Sequence, residues 1–211
     1  MMEPVMVPRT PVSEFHPKWD IFLVVLLASS LSLNVFLGWK LKGFSTKGNT
    51  ASVVPLTAGV KVASFEAYDI SDRPETISCE GVVTIFYIFS PSCPWCDRNL
   101  ENIKALVNLR RDSYRFIGLS LTDKNLRSYL DSSKLGFPVY TKLSKDTIKD
   151  LKLASTPQTI LVSPEGRVIK NWVGAYGEKL RNEMEGFFGI KLPGLTSGEA
   201  GLSDTADKAC P

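Results

Sequence analysis

The chain has 211 residues, with 25 lysines and arginines against 22 aspartates and glutamates, a formal net charge of +3, 44% hydrophobic and 22% charged side chains. That balance is globular; it excludes collagen-like and wholly disordered classes, and so small and scattered a charge makes no nucleic-acid footprint. The single histidine, His16, precedes a long uncharged stretch. A membrane span there would separate it from everything downstream, excluding Ser–His–Asp and Cys–His machinery and histidine-containing zinc sites from the main domain. Any chemistry falls to the four cysteines, Cys79, Cys93, Cys96 and Cys210.

Residues 1–20 hold Pro4, Pro8, Pro11 and Pro17 without an apolar period and read as a disordered tail. Ile21 to Trp39, IFLVVLLASSLSLNVFLGW, carries no charge. At ~1.5 Å per residue it comes close to the ~30 Å hydrocarbon core of a bilayer. Trp19 and Trp39 stand at its ends, where amphipathic rings favour the interface. A retained transmembrane anchor is expected; a cleaved signal peptide is the rival reading, but no A-x-A site follows. Arg9 and Lys18 before the stretch balance Lys40, Lys42 and Lys47 after it, so the lysine count does not set orientation. Residues 40–58 read as linker, residues 59–191 as one domain, and residues 192–211, without aromatics, as a second disordered tail.

Within the domain, Val82 to Phe89 (VVTIFYIF) has the continuous apolar run of a strand covered on both faces. Ser90-Pro91-Ser92 breaks it, and Cys93-Pro94 opens a helix whose stripe is Leu100, Ile103, Leu106 and Val107. A strand at 115–121, a helix at 125–134, a short strand at 137–141 and a helix at 144–153, capped by Ser144, follow. Strands at 160–162 and 168–173 flank the turn signal Ser-Pro-Glu-Gly, and a helix at 178–188 closes the pattern. This alternation predicts an α/β fold, a central mixed sheet with helices on both faces.

Cys93-Pro94-Trp95-Cys96 is the strongest chemical signal. Two thiols three apart at a helix start can close a disulfide with little backbone movement. Unpaired helix N–H groups lower the first thiol's pKa below its free value of ~8.5, making Cys93 the attacking thiolate and Cys96 the resolving one. Half of a zinc clip is the bland alternative, but Cys79 and Cys210 offer no matching second pair. Cys79 reads as a shielded free thiol, with a Cys79–Cys210 disulfide as the alternative pairing.

PSCPWCDRNLENIKAL, Thr156-Pro157 and SPEGRVIKNWVG together resemble thioredoxin-fold thiol–disulfide oxidoreductases, and the single span and the lead-in GVKVASFEAYDI resemble the membrane-anchored TlpA/ResA-like branch. The resemblance covers roughly residues 59–190. It implies a thioredoxin-like fold, a redox disulfide between Cys93 and Cys96, a cis-proline at Pro157 with Thr156 before it contacting substrate, and Trp95 as exposed contact surface. The thioredoxin branch has an aspartate where this chain has Tyr87, so another group must take the proton of Cys96. ResA-like relatives use a glutamate after the next strand, and Asp123 falls at about that place, where it would also suit a helix cap.

The implied function is exchange of disulfides with protein substrates at the inner (cytoplasmic) membrane, the domain lying on the extracytoplasmic side and held by lipid contact of the anchor. It needs no organic or metal cofactor and no nucleic acid. Trp95 brings no charge between the cysteines, so the protein is expected to be a reductant rather than a strong oxidant, supplied by an electron-donating thiol–disulfide partner in the membrane. Two alternatives remain: a peroxiredoxin-type peroxidase, for which Ser90 stands three residues before Cys93, and a Cu(I)-binding protein using both thiolates.

Overall fold

The computed structural model describes residues 17–44, 56–196 and 210, with side chains of the first segment described at 21–36. The expected N-terminal tail up to His16, most of the linker (45–55), and residues 197–209 and 211 of the second tail lie outside the described residues. The chain divides into two compact units, residues 1–52 and 53–211.

The first unit contains helix α1 (Pro17–Phe44). Its polar side chains turn back on the helix: Ser29 Oγ donates to the Leu26 carbonyl at 2.9 Å, Ser32 Oγ to Ala28 at 2.8 Å, and Asn34 Nδ2 to Ser30 at 2.9 Å. The apolar ones, Phe22, Leu27 and Phe36 among them, are exposed. Among the described residues no helix is long and apolar enough to cross a membrane.

In the second unit, strand β3 (Thr84–Phe89) is buried along its whole length. Because successive side chains alternate faces, Ile85, Tyr87 and Phe89 enter one apolar cluster while Phe86 and Ile88 enter the other. Burial of such side chains contributes about 1.5–3 kcal/mol each, which is why this run anchors the sheet centre. β4 (Arg115–Ser120) pairs parallel with β3, and β5 (Val139–Thr141) parallel with β4. β6 (Gln158–Val162) runs antiparallel on the other side of β3, followed by β7 (Val168–Val173). Gly118 of β4 is required by close packing: a Cβ there would meet Val139 Cγ2 at 2.8 Å.

A hairpin absent from the sequence reading completes the sheet. β1 (Phe65–Asp69) and β2 (Pro74–Ile77) turn through Asp72, whose φ is +62°, and β1 pairs antiparallel with β5. The turn is fixed by Asp69, whose carboxylate accepts from the backbone N–H of Ser71 and Arg73 and from the Arg73 guanidinium. The order across the seven strands is β2-β1-β5-β4-β3-β6-β7.

Helices α2 (Pro94–Arg98), α3 (Leu100–Arg110) and α6 (Glu178–Phe188) contribute Trp95, Ile103, Leu106, Met184 and Phe188 to the cluster that holds Tyr87. Leu126 of α4 (Leu126–Ser133) joins the same cluster, whereas Ile148 of α5 (Lys145–Asp150) packs on the opposite one. The sheet is thus covered on both faces, as the alternation predicted.

Three boundaries differ from the sequence reading. Leu56, read as linker, is buried among Val62, Ile77 and Cys79. The expected single helix after Cys93 is two, meeting at Asn99. Residues 192–196, read as disordered tail, are packed: Leu192 is buried, Gly194 N–H donates to Asn102 Oδ1 at 2.8 Å, and Thr196 N–H donates to the Arg98 carbonyl at 3.1 Å. Composition missed these anchors because their polar partners, Asn102 and Arg98, lie about a hundred residues earlier in the chain and meet them only on folding.

Candidate active site

The C-terminal end of β3 runs through Ser90-Pro91-Ser92 into Cys93, which caps α2 in an extended conformation with Pro94 in the first turn. Proline suits that place because its missing N–H would have no helical partner. The Cys93 carbonyl accepts from Cys96 N–H at 3.0 Å, and Cys93 N–H donates to Ser90 O at 3.0 Å, so the motif is fixed through its backbone. Asn99, fully buried where α2 meets α3, accepts on Oδ1 from Tyr176 N–H at 2.9 Å and from Asn102 Nδ2 at 3.1 Å. This ties the motif helix to the loop before α6.

Opposite the motif, the Thr156–Pro157 bond is cis and leads directly into β6. The Pro157 carbonyl accepts from Gly174 N–H at 2.8 Å, which ties the residue to the end of β7. Thr156 is buried, and its carbonyl oxygen lies 3.4 Å from Cys93 Sγ. Cys93 and Cys96, at the start of α2, are therefore brought beside Thr156 and Pro157, which lie at the entry to β6.

Cys96 is a free, fully buried thiol. Burial pushes it up to about 11; polar groups of Ser90 and Thr156 pull the other way, and the Asp97 charge adds to the rise. Beside it lies Tyr87, almost fully buried, its hydroxyl without a hydrogen-bond partner. Burial, and then the charges of Cys96 and Asp97, hold the Tyr129 hydroxyl well above the ordinary tyrosine range, and burial raises the Asp97 carboxyl. Tyr129 was missed by sequence reasoning: a lone tyrosine on a short amphipathic helix carries no signal of which groups it will face.

Two expectations need correction. Trp95 is not exposed contact surface: only 8% of it is accessible, and the Arg98 guanidinium lies 4.6 Å from its ring centroid. An indole beside a helix that packs on the sheet finds apolar cover more readily than solvent. Asp123 stands exposed on the loop after β4, where its charge acts on Lys142; it makes no hydrogen bond or ion pair with either motif cysteine. Nor does its side chain cap α4, whose N-cap is Asn125.

The sulfur partner of Cys93 is also not the expected one. Cys93 is bonded to Cys210, with the Cα atoms 5.9 Å apart, while Cys79 and Cys96 are free. Spacing along the chain could not reveal a pairing across 117 residues. Cys79 is buried just ahead of β3, its thiol also pushed up to about 11 by burial.

No family model matches the chain, and no curated protein matches it. Solved structures do. The thioredoxin domain of a thiol-disulfide oxidoreductase from Bacteroides vulgatus is similar over 63% of this chain and 99% of its own, with 20% identity and a TM-score of 0.51. A thiol:disulfide interchange protein from Bacteroides sp. matches 64% of this chain and 91% of its own, with 20% identity and a TM-score of 0.51. A secreted Mycobacterium tuberculosis disulfide oxidoreductase homologous to E. coli DsbE matches 59% and 94%, with 15% identity and a TM-score of 0.50. With the mixed sheet, the motif at the end of β3 and the cis-proline opposite it, these likenesses establish that the second unit of the chain has a thioredoxin-like fold.

Proposed function

We propose that the chain is a membrane-tethered thiol–disulfide oxidoreductase of the TlpA/ResA-like kind, acting through Cys93 and Cys96 on protein thiols and disulfides outside the cytoplasm. The observation that carries this reading is the meeting of Cys93 Sγ with the Thr156 carbonyl at 3.4 Å, with a second, free thiol buried behind it. An exchange enzyme needs an attacking sulfur beside a backbone edge that can hold the partner's chain, and a resolving thiol withheld from solvent; Cys93 is itself buried here, where Cys210 is bonded to it.

In the cycle, the Cys93 thiolate attacks a substrate disulfide; a mixed disulfide forms and the departing sulfur takes the electron pair. Cys96, once deprotonated, attacks Cys93 Sγ, closing the Cys93–Cys96 disulfide and releasing the substrate as a thiol. Asp97, beside Cys96 and with its carboxyl raised by burial, is better matched to take the Cys96 proton than the exposed Asp123. No organic or metal cofactor enters these steps. A membrane thiol–disulfide partner would return the pair to the dithiol.

Direction follows from the charges near the pair. Asp97 disfavours a Cys96 thiolate, and Trp95 offers no positive charge. Little therefore stabilises the reduced form, which favours a reductant. Tethering rests on the uncharged stretch from Ile21 to Trp39 and on the polar side chains of α1 that satisfy themselves on helix carbonyls, as a bilayer demands.

Trapping tests the assignment. With Cys210, the sulfur bonded to Cys93 here, replaced by serine, Cys96→Ser should accumulate mixed disulfides through Cys93, and Cys93→Ser should trap nothing and lose reduction of protein disulfides. Trapping by Cys93→Ser alone would reverse the two roles.

A further inference from the structure

Cys210 is held by more than its sulfur. Its N–H donates to the Thr156 carbonyl at 2.6 Å, and its carbonyl accepts from Thr156 N–H at 2.9 Å, forming an antiparallel bridge. The residue is half-buried and packs on the same apolar cluster as Tyr87 and Trp95. Main-chain pairing of an extended segment with an exposed backbone edge is how peptide ligands add to a sheet. Here the added residue, Cys210, belongs to the same chain and is bonded to the attacking sulfur.

We propose that Cys210 is a third redox cysteine: it occupies the substrate edge at Thr156 as a built-in partner, bonded to Cys93 and released by Cys96. The proposal rests on the exchange reading of Cys93 and Cys96 and deepens it. Closure begins with all three thiols reduced. The Cys93 thiolate attacks an external disulfide, releasing one thiol; the Cys210 thiolate then attacks Cys93 Sγ and expels the second. One disulfide is reduced and one Cys93–Cys210 bond is made. Opening involves no net oxidation. The Cys96 thiolate attacks Cys93 Sγ, the Cys93–Cys210 bond breaks, and its electron pair goes to Cys210 Sγ, which takes up a proton as Cys96 loses one. Opening is slow at neutral pH because Cys96 is pushed up to about 11, so the closed form persists until a partner or the resolving thiol displaces the tail.

The tether gives the tail an advantage over free partners. A thiol joined to the domain through residues 197–209 has an effective concentration in the millimolar range, about tenfold above a ~0.1 mM competitor. The test uses the full chain carrying Cys96→Ser, reduced, then exposed to ~0.1 mM glutathione disulfide. Free thiols are blocked, and unreduced tryptic peptides are weighed. Cleavage after Lys208 releases Ala209-Cys210-Pro211; Cys79, Cys93 and Cys96 stay together on the tryptic peptide that ends at Arg98, so serine variants assign the link. About nine-tenths of that tripeptide should be joined to the peptide containing Cys93. The link should survive an added Cys79→Ser and vanish with Cys93→Ser. Wild type, blocked soon after exposure and before Cys96 opens the bond, should show the same link, free of any effect of substitution on folding. Glutathione on Cys93 with Cys210 blocked as a free thiol would overturn the tail's role and leave the exchange reading standing. Neither linkage nor glutathione on Cys93 would overturn both.

Discussion

Two buried thiols bracket the central strand, and they differ in almost everything except their acidity. Cys79 precedes β3 and Cys96 follows it; burial pushes each up to about 11. Around Cys79 stand Val62, Ile77 and Val162, with the charges of Arg115 and Lys61 pulling its pKa down. Around Cys96 stand Tyr87, Tyr129 and Asp97, with Cys93 three residues away across one helical turn. Equal acidity therefore does not mean equal chemistry. A thiol that cannot ionise readily becomes useful only where an electrophilic sulfur is held within its reach.

The largest expected contrast is in turnover. In a chain carrying Cys210→Ser, which removes the alternative resolving thiol, Cys96→Ser should lower multiple-turnover reduction of a protein disulfide by at least about 10³-fold, the scale on which a removed covalent participant is felt, while Cys79→Ser should leave it within about twofold. Comparable losses from both, measured by steady-state assay, would erase the distinction. Next comes the pH dependence of resolution. Only the thiolate attacks, so in the same Cys210→Ser chain release of a mixed disulfide by Cys96 should accelerate about tenfold per pH unit from 7 to 10 and flatten near pH 11. Stopped-flow release of a chromophoric thiol reads this, and a plateau below pH 8 would mean that Cys96 is far more acidic than its burial implies.

A smaller effect concerns the proton acceptor. Asp97→Asn should slow resolution severalfold at pH 6–7 and match or exceed wild type above pH 9, because the substitution removes both a base and a like charge. Asp123→Asn should not change the profile. The smallest effect is on stability. Both thiols have folded-state pKa values above the ordinary free value near 8.5, so their contribution is complete below pH 8.5 and is lost as pH rises towards about 11. Thermal unfolding should therefore move to lower temperature over that window, and less steeply in Cys79→Ala than in wild type.

The same pair illustrates what could be read from the chain. β3 was legible because six consecutive apolar or β-branched residues leave no face for solvent, and the motif was legible because it follows that strand directly. Pro157 was legible from its place ahead of a strand. The β1–β2 hairpin was not: Phe65–Asp69 and Pro74–Ile77 lie at the sheet edge, half exposed, and their turn depends on Asp69 reaching Ser71 and Arg73. Asp123 misled because position along the chain says when a loop follows a strand, not which way its carboxylate faces. Trp95 misled because its cover comes from packing. Cys210 was illegible for the deepest reason: its partners, Thr156 and Cys93, are neighbours only after folding.

The most direct test of Cys93 and Cys96 as a redox pair is a glutathione-buffered titration of the Cys210→Ser chain, which leaves that pair without the tail. A single two-electron transition near about −270 mV, lost in Cys93→Ser, is the predicted result. No transition, or one above about −180 mV, would contradict a reducing thiol–disulfide exchange site.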